Sequence, residues 1–300
     1  MKRNAPLDLM LTNAAITERI ARGYPELSTA HRKAADYVLA HPFRAATMTI
    51  DELASAVGMS VATANRFARA LGFDGYPQFR TALVHAFESA LAPVEKLRDE
   101  LRLEATSAEI FARSLNEDLD NIQATLLRLN HEACERAVAM ILEAPRVFIL
   151  GFSTSAYLGA IMAHRLDPFC SNVQTIASEA GPTQAARRLF KLKPEDLVIA
   201  ISFPRYNKFT VELLTLARER KVRVLAITDT AGSPLVPLAD VVLYAKSEHR
   251  LSAASEAAAL ALIEALCGAV VHRAENSLRN ATELTEHLLP YLYTGKPPSA

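Results

Sequence analysis

The sequence predicts an α + α/β chain: an all-helical N-terminal domain carrying a helix-turn-helix, followed by a three-layer α/β domain on a mostly parallel five-stranded sheet. Three observations carry this. Half of the 300 residues are apolar, enough for two domains and at least one sizeable core. A helix, glycine turn and helix pattern runs from Thr49 to Gly72. From about Arg146 onward, short apolar runs alternate with helical segments, which is the pattern of βαβ units.

Taken in order, residues 1–90 read as short helices: Ser28 to Ala40 with apolar Ala34, Ala35, Val38 and Leu39, a pair within Ile50 to Leu71, and Tyr76 to Leu91. His41-Pro42 closes the first of these. Residues 91–129 read as a helical connector with Ile110, Phe111, Leu115, Leu119, Ile122, Leu126 and Leu129 at three- and four-residue spacings. That stripe is expected to pack on the second domain or on a sister subunit. Residues 130–293 form the α/β domain, with strands expected at Val147 to Leu150, Val173 to Ile176, Leu197 to Ile201, Val222 to Ile227 and Val241 to Tyr244. An alanine-rich helix from Ser252 to Ala274 closes it, and residues 294–300 read as a loose tail.

Thirty-three basic and thirty-three acidic residues cancel, which argues against a nonspecific nucleic-acid coat. Residues 1–90 hold ten Lys/Arg against eight Asp/Glu, so charge permits a local DNA-reading face without demanding one. Cys134, Cys170 and Cys267 form no paired motif and are expected as core fillers, with no metal site and no cofactor. The most apolar late stretch, Ala257 to Val271, is broken by Glu264 and is too short to span a membrane, so a cytoplasmic protein is expected.

Thr49-Ile50-Asp51-Glu52 is a capping box that starts a helix at Ile50. Gly58 can turn the chain in the left-handed region and Ser60 is placed to cap the next helix. In that helix Val61, Ala64, Ala68 and Leu71 share one face. Ala62, Asn65, Arg66 and Arg69 share another, with Thr63 at its border. Arg can fork onto guanine, Asn onto adenine, and small residues allow close approach, so Ser60, Ala62, Thr63, Asn65, Arg66 and Arg69 are the candidate DNA contacts. The run from Met48 to Arg80, with its Leu71-Gly72-Phe73-x-Gly75-Tyr76-x-x-Phe79 segment, resembles the N-terminal domain of RpiR-type regulators, as does Arg32 to Pro42 upstream. The resemblance implies that the helix from Ser60 to Leu71 reads a double-stranded operator.

In the second half, Gly151-Phe152-Ser153-Thr154-Ser155 follows a strand and opens a helix, where hydroxyls and free amides favour an anion. Together with Ile201 to Asn207, Ile227-Thr228-Asp229 and Ser233-Pro234-Leu235, this order resembles the SIS (sugar isomerase) domain of the same regulators, which implies binding of a phosphorylated sugar. The resemblance marks Ser153, Thr154, Ser155, Ser202, Arg205, Tyr206 and Asn207 as candidate ligand residues. One departure matters: where such loops read S-x-S-G-x-T, this chain has Ser202-Phe203-Pro204-Arg205-Tyr206-Asn207, trading two hydroxyls and a glycine for a guanidinium. Arg205 can clamp a phosphate or a carboxylate, so the expected effector is a small anionic metabolite, sugar phosphate or sugar acid. Glu179 and Glu256 sit where SIS enzymes recruit carboxylates, and a sugar-phosphate isomerase or lyase with an accessory helical domain is the alternative. Glu179, Glu256, His164 and His249 are nevertheless expected in structural or solvated roles. A non-catalytic homodimer or homotetramer, with no membrane partner, completes the expectation.

Overall fold

The computed structural model describes residue 16 and residues 19–176 and 181–292, the side chains of residues 85–92, 94, 95 and 182 excepted. The tail at 294–300 and Glu179 lie outside the described residues. The chain divides into two compact units, residues 1–102 and 103–300.

Beyond the helical residues 19–23, the described part of the first unit holds α1 Thr29–Ala40, α2 Pro42–Thr47, α3 Ile50–Val57, α4 Val61–Ala70 and α5 Tyr76–Glu100. Their starts follow from local chemistry. Ser28 accepts a hydrogen bond from His31 N at the head of α1, and Pro42 occupies the first turn of α2, where its missing N–H is harmless. The capping box of α3 is complete: Glu52 N donates to Thr49 Oγ1 at 3.3 Å and Thr49 N donates to Glu52 Oε2 at 2.6 Å. Those bonds to Thr49 hold the Glu52 carboxyl below its ordinary pKa. The core is small residues and aromatic edges, with Ala34, Ala35 and Ala68 letting helices approach while Phe67, Phe73 and Phe79 meet edge to face at 5.5–5.7 Å.

The fourth predicted helix of this unit does not stop at Leu91. α5 continues past Pro93 to Glu100 because one proline removes a single rung of the ladder, while the Val94 to Glu100 run is rich in helix formers. The boundary expected at 90/91 therefore falls inside a helix, and the connector is broken instead at residues 101–106. A second capping box then starts α6, Ser107–Leu127, with Glu109 N bonded to Thr106 Oγ1 and Thr106 N to Glu109 Oε2.

In the second unit α6 is followed by α7 His131–Glu143, β1 Val147–Leu150, α8 Thr154–Leu166, β2 Val173–Thr175, α9 Gly181–Leu189, β3 Leu197–Ile201, α10 Lys208–Glu219, β4 Arg223–Thr228, β5 Val241–Tyr244, α11 Ala257–Arg273 and α12 Ser277–Leu288. The five strands form a sheet in the order β2-β1-β3-β4-β5, every pair parallel. Every residue of β1 and β3 is buried, as continuous apolar runs covered on both faces require. One face packs Leu158, Met162 and Ile263 from α8 and α11; the other packs Leu189, Leu214 and Ala217 from α9 and α10. Cys267 lies in the first core, and burial raises the thiols of Cys134, Cys170 and Cys267, the last to about 12. Among the described residues no single helix is long and apolar enough to cross a membrane.

α11 starts at Ala257, five residues later than Ser252. Leu251 N and Ser252 N both donate to His249 Nδ1 at 3.0 Å, and Ser255 Oγ accepts from Ala257 N, so short polar side chains take the backbone donors that a helix would have used. His249 thus has a structural role, as expected.

At the strand starts, Arg146 forks onto the buried Asp196 (Nη2 to Oδ2 2.5 Å, Nε to Oδ1 2.8 Å), and Lys193 N donates to the same carboxylate at 2.7 Å. This pins the loop before β3 to β1. Replacing Asp196 by Ala strands both donors; urea unfolding is expected to show a loss of about 2–3 kcal/mol.

Candidate functional site

In the first unit the candidate surface is α4. Gly58 takes φ +69° to make the turn, and nothing lies within 4 Å of where its Cβ would be, so backbone conformation alone demands glycine. Ser60 caps α4 by accepting from Thr63 N. A polar chain runs on along the helix, with Ser60 Oγ and Thr63 Oγ1 2.8 Å apart and Arg66 Nη2 donating to Thr63 Oγ1 at 3.1 Å. Ala62, Arg66 and Arg69 are exposed; Arg69 Nε donates to Asp74 O at 3.0 Å, holding its stem against the turn after the helix.

Two expectations about this helix need correction. Val61 is 42% exposed, and Phe67 replaces it at the centre of the buried face beside Ala64 and Ala68. Asn65, expected free for a base edge, is half-buried and its Oδ1 accepts from Tyr76 N at 2.8 Å. The physical reason is that α5 begins after Gly75, which has no side chain to cap it, so its first N–H takes an acceptor from the neighbouring helix. A bidentate grip on adenine needs that same oxygen. A Cβ on Gly75 would come within 2.9 Å of it, which explains the glycine. Tyr76 is itself fixed, its hydroxyl donating to Met48 O at 3.1 Å and burial pushing its pKa up to about 12.

In the second unit the helices after β1 and β3 leave to opposite faces of the sheet. The carboxyl ends of these adjacent strands therefore open into a crevice, the place where open α/β sheets bind ligands. Its volume is about 360 Å³. Three segments line it: Phe152 to Ser155 at the start of α8, Ser202 to Arg205 with Asn207 after β3, and Ser252 to Ala254 with Glu256 ahead of α11. The N-termini of three helices thus border one space. Asn207 caps α10 through Phe209 N, whereas Ser153 and Glu256 make no side-chain cap for α8 and α11.

Backbone geometry at the crevice is unusual. Ser153 has φ 56°, ψ −134°, and Arg205 has φ 67°, the region glycine enters freely and other residues enter only at a cost. At Gly151 a Cβ would lie 2.7 Å from the Ser155 carbonyl, a backbone atom that cannot move aside. The side chains give the site both signs of charge. Arg205 is exposed and Glu256 half-buried, and neither side chain has a hydrogen bond or ion pair among the described residues.

Ser153, Thr154, Ser155, Ser202, Arg205 and Asn207 therefore come together, but Tyr206 does not join them. Its hydroxyl turns under the loop and donates to Asp229 Oδ1 at 2.6 Å; desolvation first, then that bond, drives its pKa far up. Thr228 Oγ1 joins the same buried cluster through Ser202 O and Ser233 Oγ. Tyr206 thus braces the loop instead of lining the crevice.

Residues 14–90 match the family model of the rpiR-family helix-turn-helix domain, and residues 140–269 match that of the SIS domain. The chain belongs to the RpiR-type regulators. The HTH-type transcriptional regulator HexR of Pseudomonas aeruginosa is 27% identical over 285 residues, 93% of this chain and 97% of that protein. HexR of Escherichia coli is 27% identical over 73% of each chain. Among solved structures, the sugar isomerase domain of an RpiR transcription factor from Sphaerobacter thermophilus is 29% identical (TM-score 0.54, 58% of this chain and 97% of that one). The Vibrio vulnificus NanR protein, complexed with ManNAc-6P, shares the fold along 92% of this chain and 99% of its own, at 24% identity and TM-score 0.57.

For this RpiR-type regulator, sequence reasoning missed the Ser252 to Ala254 wall, which it had assigned to a helix. Glu256, expected in a structural or solvated role, borders the crevice. The run of small residues Ser252-Ala253-Ala254-Ser255 before the alanine-rich helix was the available signal.

Two stability measurements check this geometry. Asn65→Ala removes the cap of α5 and is expected to lower unfolding free energy by about 1 kcal/mol. Arg205→Gly relieves a left-handed residue and is expected to raise it by about 1 kcal/mol.

Proposed function

We propose that this protein is a cytoplasmic, non-catalytic transcription regulator that binds operator DNA through α4 as a homodimer or homotetramer. In this reading its SIS domain senses a small anionic metabolite, a sugar phosphate or a sugar acid. The observation that carries the sensing is the crevice itself, where one unpaired guanidinium, the hydroxyls of Ser153, Ser155 and Ser202, and three helix N-termini border one space. Helix N-termini favour negative charge, and Arg205 supplies a fork for phosphate or carboxylate in place of the hydroxyls that the loop lacks. Of the six candidate DNA contacts, Ser60, Ala62, Thr63, Arg66 and Arg69 are proposed to touch the duplex, and Asn65 to position α5 against α4. An oligomer suits the reading because paired half-sites need paired reading heads.

The isomerase alternative keeps one observation in its favour, the carboxylate of Glu256 at the crevice. No histidine is among the described lining residues to act with it, and the described residues hold no cluster of three metal-ligating side chains.

Duplex binding at matched salt and calorimetry with a panel of sugar phosphates and sugar acids test the proposal. Arg66→Ala is expected to lose about 1–3 kcal/mol of operator affinity, with ligand affinity unchanged. Arg205→Ala is expected to weaken the effector by about 2 kcal/mol, roughly thirtyfold, with folding intact. Unchanged operator binding in the first variant removes α4 as the reading surface. Unchanged effector binding in the second removes the anion role of Arg205, and turnover of a sugar phosphate that is lost in Glu256→Gln favours the isomerase.

A further inference from the structure

The crevice holds two charges of opposite sign, and neither is spent. Among the described lining residues Arg205 is the cation and Glu256 the anion, one on the loop after β3 and the other ahead of α11. They border one space without pairing with each other or with any other described side chain. Their backbones, by contrast, are fixed. Glu256 follows Ser255, whose N donates to Ser247 O at 3.0 Å and whose Oγ donates to Asp118 Oδ1 at 2.5 Å, and it precedes Ala257, whose N donates to Ser255 Oγ at 3.2 Å. Asn121, one turn along α6 from Asp118, donates from Nδ2 to Glu248 O at 2.7 Å and holds the same segment further back. On the other wall Tyr206 is tied to Asp229, and Asn207 caps α10, so both neighbours on the C-terminal side of Arg205 are anchored. A glutamate that served its own helix would bond the free N–H groups at the start of α11, and Glu256 makes no such bond.

The balance of these charges says what fits between them. A phosphate monoester carries about −1.5 to −2 charges near neutral pH. A ligand with only such a group satisfies Arg205 and the start of α8, where Ser153 makes no side-chain cap, but it covers Glu256 with nothing to neutralise it. Desolvating a carboxylate without a partner costs affinity. Hydroxyl groups bond a carboxylate without compensating its charge, whereas an ammonium group does both and forms the stronger, charge-assisted bond. The volume of about 360 Å³ lies at the small end of ligand pockets, so the two ends of one small molecule serve both walls. Phe152 and Phe203 line the same space and offer apolar surface to its carbon frame.

We propose that the crevice takes a zwitterionic metabolite, an amine-bearing sugar phosphate or sugar acid, with its anion on Arg205 and the start of α8 and its ammonium group on Glu256. The proposal rests on the reading of the crevice as a sensing site and narrows the ligand class within it. Because both backbones are held in place before the ligand arrives, little ordering is left to oppose binding.

The test is calorimetry on the full chain with two matched pairs of probes, at slightly acidic pH where the amines are protonated. Glucosamine 6-phosphate is set against glucose 6-phosphate, and glucosaminate against gluconate, so that each pair differs only by an ammonium group in place of a hydroxyl. In at least one pair the amine is expected to bind about tenfold or more tighter, and the pair that shows this names the anion. Glu256→Gln removes the charge at nearly constant shape and, since Glu256 makes no side-chain bond, is expected to keep the unfolding transition while bringing the two members of that pair within about threefold. Glu256→Asp keeps the charge on a shorter stem and is expected to retain a measurable preference for the amine. Hydroxyl probes that bind as tightly as their amine counterparts overturn this proposal and leave the sensing reading standing. So does a preference that survives Glu256→Gln, because the ammonium group then lies elsewhere, and so does one lost equally in Glu256→Asp, because shape and not charge then carries it. Binding of none of the four probes at millimolar concentration overturns the sensing reading together with this proposal.

Discussion

A parallel sheet whose short strands are buried on both faces has no room for polar chemistry along its length, and the arrangement of the second unit follows from that constraint. β1 and β3 contribute unbroken runs of four and five core residues, so hydroxyls and charges collect only where the strands end. At one end the polar groups are consumed in structure, with Arg146, Asp196 and Lys193 N satisfying one another. At the other end they are left open, because the two crossovers diverge and the helix N-termini face solvent instead of a strand. Ligand chemistry is possible at that edge because the interior excludes it everywhere else.

The first unit meets the same accounting problem at helix ends. Helices α1 to α5, packed into about seventy residues, leave many orphan N–H groups, and the sequence provides for them with Ser28, Thr49 and Ser60 at their own helices. α5 has only Gly75, and the missing acceptor comes from Asn65 on the neighbouring helix. A side chain that faces a plausible reading surface in a helical projection is thereby taken out of it. The surface that remains is narrower and more cationic, dominated by Arg66 and Arg69.

Local signals were legible in the sequence: the Thr49 capping box, the left-handed Gly58, the cap at Ser60, and strand limits within one residue at each of the five strands. These depend on residues close in the chain. What escaped depends on partners far along it. Asn65 and Tyr76 are eleven residues apart, and Tyr206 finds Asp229 across twenty-three. The apolar stripe of α6 is expected on the second domain or on a sister subunit, and periodicity alone cannot choose between them, because the choice depends on Asn121 meeting Glu248 across 127 residues and turning the stripe outward. Ser252 to Glu256 read as helix because alanine favours helix, whereas serine hydroxyls and His249 decided the local conformation.

The floor and the walls of the crevice differ in how much change they can absorb. Gly151 is pressed against the Ser155 carbonyl, and a Cβ on Gly159 would meet Ile149 Cγ2 at 3.0 Å, so the strand-to-helix floor has no spare volume. Pro204, Arg205 and Ser252 to Ala254 stand on surface loops, where sequence change disturbs little else. Refitting this scaffold as a biosensor for another metabolite is therefore a problem in loop design, with the glycine floor left untouched and diversity confined to the two walls.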